Sequence, residues 1–254
     1  ILPIEFFGLP VFSLTNAIAL LGGFTVIGLI SYVPLYAQAS KGGSAMTAGL
    51  VIMPLSIGWS TAGIVTGRIL HKTGGRRMII LGMALVSLGC LASVRINEHT
   101  PIILIVLHML VIGVGMGTQT PGLLVTLQNA MDVAVMGVAT ASQQLARRIG
   151  ATVGVSLMGA VLTNLFINGV IEVKSLELYK QLPQGIKSQF SDPASLLTGD
   201  ARSRLPADLL APLLDAFSRA VSGIFWVGLT AAVLGLILAL RIPAENQGPE
   251  PDSP

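Results

Sequence analysis

Six stretches of this chain carry too little charge, over too great a length, to belong to anything but membrane helices. Phe6–Ser40, Gly42–Gly67, Met78–Val94, Ile149–Ile171 and Ala220–Leu240 contain no Asp, Glu, Lys or Arg, and Pro101–Met131 is interrupted only by His108 before its final residues. A helix crossing the hydrocarbon core needs about 20 mostly apolar residues, with about 17 to 25 usual. The runs therefore predict six spans, at 11–38, 45–67, 78–94, 101–127, 137–167 and 220–240. The third is short, and Arg77 or Arg95 can snorkel at its ends. A buried core in a large soluble protein would require polar helix faces that these runs lack. The expected fold is an all-α integral membrane bundle of six helices over residues 11–241. Around it lie a lead-in at 1–10, a long loop at 168–216, and a disordered Pro-rich, acidic tail at 242–254.

The charges that remain set the expected orientation. Arg68, Lys72, Arg76, Arg77, Arg147, Arg148 and Arg241 fall in the 2–3 and 4–5 connections and the tail, while the short connections opposite hold Lys41 and Arg95. The positive-inside rule then puts both termini in the cytoplasm. The 168–219 stretch adds six further Lys and Arg to the other side, with six acids among them. Long loops weigh less under that rule.

Only 11% of the residues are charged and the net charge is +3, which argues against a nucleic-acid-binding surface. The single cysteine, Cys90, lies inside an apolar run and has no partner for an intrachain disulfide. No Cys/His cluster has metal-ligand spacing. His71, His99 and His108 are scattered, and no His is placed to activate Ser156 as a nucleophile. No catalytic residue, metal site or cofactor is expected.

The densest charge cluster is GRILHKTGGRR, Gly67 to Arg77, between spans 2 and 3. As a turn of positive charge it anchors topology. Its spacing also resembles the G-x-x-x-D-R-x-G-x-R pattern found between the second and third helices of each half of major facilitator transporters. Gly67, Lys72, Gly74 and Arg76, with Arg77 beside it, match that pattern, and His71 stands where it has an acid. YVPLYAQ (Tyr32–Gln38), TAGLVIMPLSIG (Thr47–Gly58), GVGMGTQTP (Gly113–Pro121) and the segment Leu127–Leu162 extend the likeness. In order and separation they resemble the C-terminal half of 14-span drug:proton antiporters of the EmrB/QacA type.

That resemblance implies a bacterial inner-membrane carrier with a 3+3 inverted repeat. It would export small hydrophobic or cationic compounds in exchange for protons by alternating access, with another six-helix half preceding Ile1. It also implies that Gly67, Lys72, Gly74, Arg76 and Arg77 form a gating hairpin. A carrier of one particular metabolite fits the same pattern, and a stand-alone six-span scaffold or channel is the alternative outside the carrier class.

Individual residues supply further candidates. Gly63 with Gly67, and Gly150 with Gly154, form small-residue pairs that let helices approach closely. Thr140, Gln143, Gln144 and Arg147 share one face of span 5, which reads either as a sliding interface or as a polar stretch outside the bilayer. The Gly113–Pro121 segment lacks the strand that a phosphate-binding loop requires, and suits a broken or kinked carrier helix. Thr25, Tyr32, Gln119 and Gln143 are the candidate cavity-lining residues. Tyr36 is expected in an interfacial aromatic belt, and Asn16 and His108 in interhelical hydrogen bonds. No span has an Asp or Glu in its interior, so a proton-coupling carboxylate is expected upstream, in the other half.

Overall fold

The computed structural model describes residues 4–41, 45–97, 99–174 and 207–243. After a 3-10 turn at Ile4–Gly8 come α1 (Pro10–Lys41), α2 (Ala45–Thr73), α3 (Gly75–Ser93), α4 (Ile102–Asn129), α5 (Met136–Lys174) and α6 (Ala207–Leu240). Each of the six helices is long and apolar enough to cross a membrane. The described residues form an all-helical integral membrane bundle.

Its packing repeats. α2 lies along α4 as α5 lies along α1, and α3 lies along α4 as α6 lies along α1. Exchanging the first three helices with the last three maps each of these pairs onto another. α1 and α4 touch at the centre, and α3 meets α6. The main apolar core joins Leu29, Val33, Met83, Ile112, Met158 and Phe225, and a smaller cluster holds Phe12, Leu127 and Ala139.

Glycines set the closest approaches. A Cβ on Gly150 or Gly154 would collide with the carbonyls of Leu20 and Phe24 on α1, one turn apart. On the equivalent pair, a Cβ on Gly113 or Gly117 would collide with the carbonyls of Leu55 and Trp59 on α2. Small residues that let backbones touch are the standard device for joining helices where lipid offers no hydrophobic driving force. Gly63 belongs to this seam, its amide nitrogen 2.9 Å from the position a Gly117 Cβ would take. Gly67, its expected companion, faces open space. The spacing of four residues places both on one side of α2, but nothing lies within 4 Å of a Cβ at the second.

The helices outrun the charge-free stretches. α2 continues through Arg68, His71 and Lys72 to Thr73, so the expected eleven-residue turn reduces to Gly74 alone. Arg147 and Arg148 lie within α5, not in a connection. Residues 168–174 extend α5, and α6 begins at Ala207, well before 220. A charge ends a membrane stretch without ending a helix: Leu213, Ala216 and Phe217 are buried, while Asp215 and Arg219 point outward. α4 runs unbroken through Gly113–Pro121. The centre of the expected loop, 175–206, and the tail from 244 lie outside the described residues.

This extension of α6 also explains Tyr36. It is 1% exposed, stacks on Phe217 with ring centroids 6.3 Å apart, and donates to the Asn97 carbonyl at 2.6 Å. It is a core residue and not part of an interfacial belt.

Candidate functional site

The adjacent glycines Gly22 and Gly23 on α1 clear space for two polar side chains from different helices. A Cβ at Gly22 would lie 2.7 Å from the Gln119 amide nitrogen of α4, and one at Gly23 would strike the Arg147 backbone of α5. Gln119 is 1% exposed; its Nε2 approaches the Met116 sulfur at 2.8 Å, and its Oε1 is buried without a hydrogen-bond partner. An orphaned buried carbonyl is costly, which makes it a ready acceptor for a proton donor that enters the seam.

Nearer the start of α1, Ser142 donates to Asn16 Oδ1 at 3.2 Å across the α1–α5 contact. Gln143 is buried and donates to the Leu123 carbonyl of α4 at 3.2 Å. Asn16, Gln119, Ser142, Gln143 and Arg147 thus line a polar seam where α1, α4 and α5 converge. Arg147 has no ion-pair partner among the described residues.

The other two cavity candidates lie elsewhere. Thr25 is fully buried, donates to the Leu21 carbonyl, and sits 3.4 Å from the Gly228 carbonyl of α6. Tyr32 donates to the Val155 carbonyl of α5 at 2.8 Å. The structure does not gather Thr25, Tyr32, Gln119 and Gln143 around one space. The expected shared face of span 5 also divides, because Gln143 is buried and Gln144 is exposed. His108 leaves its Nδ1 buried and unpartnered.

A more ordered feature escaped the sequence reading. On the exposed side of α5, Gln144, Arg148, Thr152 and Ser156 recur every four residues, beside a second row of Leu145, Ile149, Val153 and Leu157. All eight are exposed. At 1.5 Å per residue the polar row runs about 18 Å. Side chains of that kind on a membrane helix face a protein interior or a water-filled path and avoid lipid tails. α2 is also little buried, with Gly49, Ser56, Ser60 and Gly67 exposed along one side. The polar spacing of four within an apolar run was the available signal on α5.

The hairpin between α2 and α3 turns on Gly74, with φ 78° and ψ 146°. A side chain there would be strained, since this region of backbone space is nearly confined to glycine. Gly75 packs against Gly122 and Thr126 of α4. Arg76 reaches the neighbouring helix and donates to the Leu240 carbonyl at 3.0 Å, where α6 ends. A cation there meets an unsatisfied carbonyl and the negative end of the helix dipole. His71, Lys72 and Arg77 are exposed. Arg76→Ala is expected to destabilise the protein by about 0.5 kcal/mol, read as a small loss of melting temperature that added salt reduces.

Comparison with known proteins follows the same lines. The sequence model of the Major Facilitator Superfamily matches residues 4–155, more than half of the chain. An uncharacterized MFS-type transporter of Mycobacterium tuberculosis is 29% identical over 95% of this chain and 34% of its own length. A multidrug transporter protein of Bacillus subtilis is 28% identical over 94% of this chain and 47% of its own. A tetracycline resistance determinant of Streptomyces rimosus is 24% identical over the whole chain and 78% of its own length. The chain therefore spans between a third and a half of the first two relatives.

Proposed function

Because this chain belongs to the major facilitator superfamily, a family of transporters, we propose that it forms the C-terminal half of a proton-coupled multidrug exporter of the EmrB/QacA 14-span type. The observation that carries this reading is the polar row on α5. Gln144, Arg148, Thr152 and Ser156 are exposed on a membrane helix, and hydrocarbon is a poor environment for them. A second six-helix half set against α2 and α5 gives the row a water-filled path to line. The short share of the relatives' length covered by the chain and the drug-resistance names among them support the same assembly.

In this reading both termini face the cytoplasm of a bacterium, and Gly74 with Arg76 restrains rocking at the cytoplasmic end of α2, α3 and α6. The seam at Gln119 and Arg147 borders the path. The coupling carboxylate lies in the upstream half, and substrates are hydrophobic or cationic.

The test uses the native-length protein in everted membrane vesicles, with a fluorescent hydrophobic cation as substrate. Acidifying the lumen is expected to drive dye inward, and a protonophore to stop it. Dye uptake that persists without a pH gradient contradicts proton coupling. Absence of dye movement, with proton-linked movement of one metabolite, replaces multidrug export with a specific carrier.

A further inference from the structure

About one α3 length from Gly74, at the other end of the bundle, lies an open cleft of about 400 Å³. It is bounded by the segment that follows α3, by Leu165 of α5, and by the turns of α6 from Asp215 to Trp226. Arg95, Asp215, Ser218, Arg219, Leu165 and Trp226 are among the residues that line it. None of the polar row on α5 takes part, so the cleft is separate from the proposed transport path.

Its chemistry changes with depth. At the mouth, Arg219 pairs with Glu172 at 3.2 Å and with Asp215 at 3.3 Å. Arg95 is exposed and has no ion-pair partner among the described residues. Beside these charges, Ser218 is 2% exposed and its hydroxyl is buried with no partner. Beyond Arg219 the lining carries no charge: Gly223, Leu165 and Trp226 follow, the last 57% exposed. From Asp215 to Trp226 the helix advances about 16 Å, from paired charges to an aromatic surface.

We propose that this cleft binds a zwitterionic phospholipid with a primary ammonium headgroup, of the phosphatidylethanolamine class. The lipid phosphate lies against Arg95 and receives the orphaned Ser218 hydroxyl. The ammonium, with three N–H donors, meets Asp215 and Glu172. The upper acyl chains follow Leu165 and Trp226, where tryptophan suits the headgroup boundary. Among the described residues, two guanidinium groups and two carboxylates balance at the mouth, so a purely anionic headgroup gains Arg95 but faces both carboxylates. A quaternary ammonium has no N–H to donate.

The test is native mass spectrometry and thermal melting of the purified native-length protein in detergent. Phosphatidylethanolamine, phosphatidylglycerol and phosphatidylcholine of identical acyl chains are titrated separately. Phosphatidylethanolamine is expected to be retained best and to raise the melting temperature most. Arg95→Ala and Asp215→Asn should each weaken that retention about tenfold, as for loss of one charge-assisted hydrogen bond. Both positions are exposed, so folding is little at risk. Equal retention of the three lipids, or unchanged retention in both variants, overturns the proposal. So does full competition by water-soluble glycerophosphoethanolamine, which would make this a site for a soluble headgroup compound.

Discussion

Replacing Gly150 and Gly154 together by valine is expected to separate α5 from α1 and to remove most of the stable folded protein. A Cβ at either position meets backbone, not a side chain that can turn away. At Gly150 the Leu20 carbonyl carbon would lie 2.7 Å from it, and at Gly154 the Phe24 carbonyl carbon 2.8 Å. The helices must part over two turns, opening the contacts of Met158 with Gly28 and of Ser142 with Asn16. Overpacking of this kind costs about 1–3 kcal/mol per site, a large share of the roughly 5–15 kcal/mol that holds a typical protein folded. The measurement is the folded fraction recovered in mild detergent and its melting temperature. Gly67→Val is the control, because nothing lies within 4 Å of its Cβ position. Equal loss at Gly67 would mean that close helix approach is not what these glycines supply.

The second large effect is expected at Gly74, on transport and not on insertion. Valine at φ 78°, ψ 146° strains the only residue between two membrane helices, at about 1–3 kcal/mol. Every span keeps its apolar length, so the protein should still reach the membrane in normal amount. The hairpin also positions Gly75 against α4 and Arg76 against the end of α6. A strained turn moves both and shifts the balance between carrier states. Dye transport by the native-length Gly74→Val protein should fall about tenfold or more, since about 1.4 kcal/mol is a factor of ten. Normal transport at normal membrane level would reduce GRILHKTGGRR to a topology signal.

The fold was legible because hydrocarbon demands long uncharged stretches, and six of them stand out in the chain. Their ends were not. Arg68 and Arg219 mark where the apolar runs stop, yet helical hydrogen bonding continues past both, into a region where charged side chains are acceptable. Helix partners were also hidden. GVGMG reads as a break, but its alternate glycines serve two neighbours, Gly113 and Gly117 against α2, and Gly115 against Gly82 and Val86 of α3. Nothing in a single sequence says which helix lies on which side.

The same limit applied to the polar residues. Tyr36 and Tyr32 share a helix face, and only the position of α6 buries the first under Phe217. Gln143 and Gln144 are neighbours in sequence, and the α4 contact alone sends one inward. The row of Gln144, Arg148, Thr152 and Ser156 was readable by its spacing, but its exposure is a property of the assembled bundle.

That row is also where the account is most directly tested. Cys90, the one cysteine of this chain, is fully buried, so single cysteines can be placed along α5 with little background. In the native-length protein, with any cysteine outside this chain replaced by serine, positions 144, 148, 152 and 156 are each labelled with a membrane-impermeant maleimide. The neighbouring positions 145, 149, 153 and 157 are labelled for comparison. The account predicts reaction along the first row, slowed by a transported cation, and little reaction along the second. Equal labelling of the two rows, or reaction confined to the leucine side, would mean that water does not follow the polar row and would contradict the half-carrier reading.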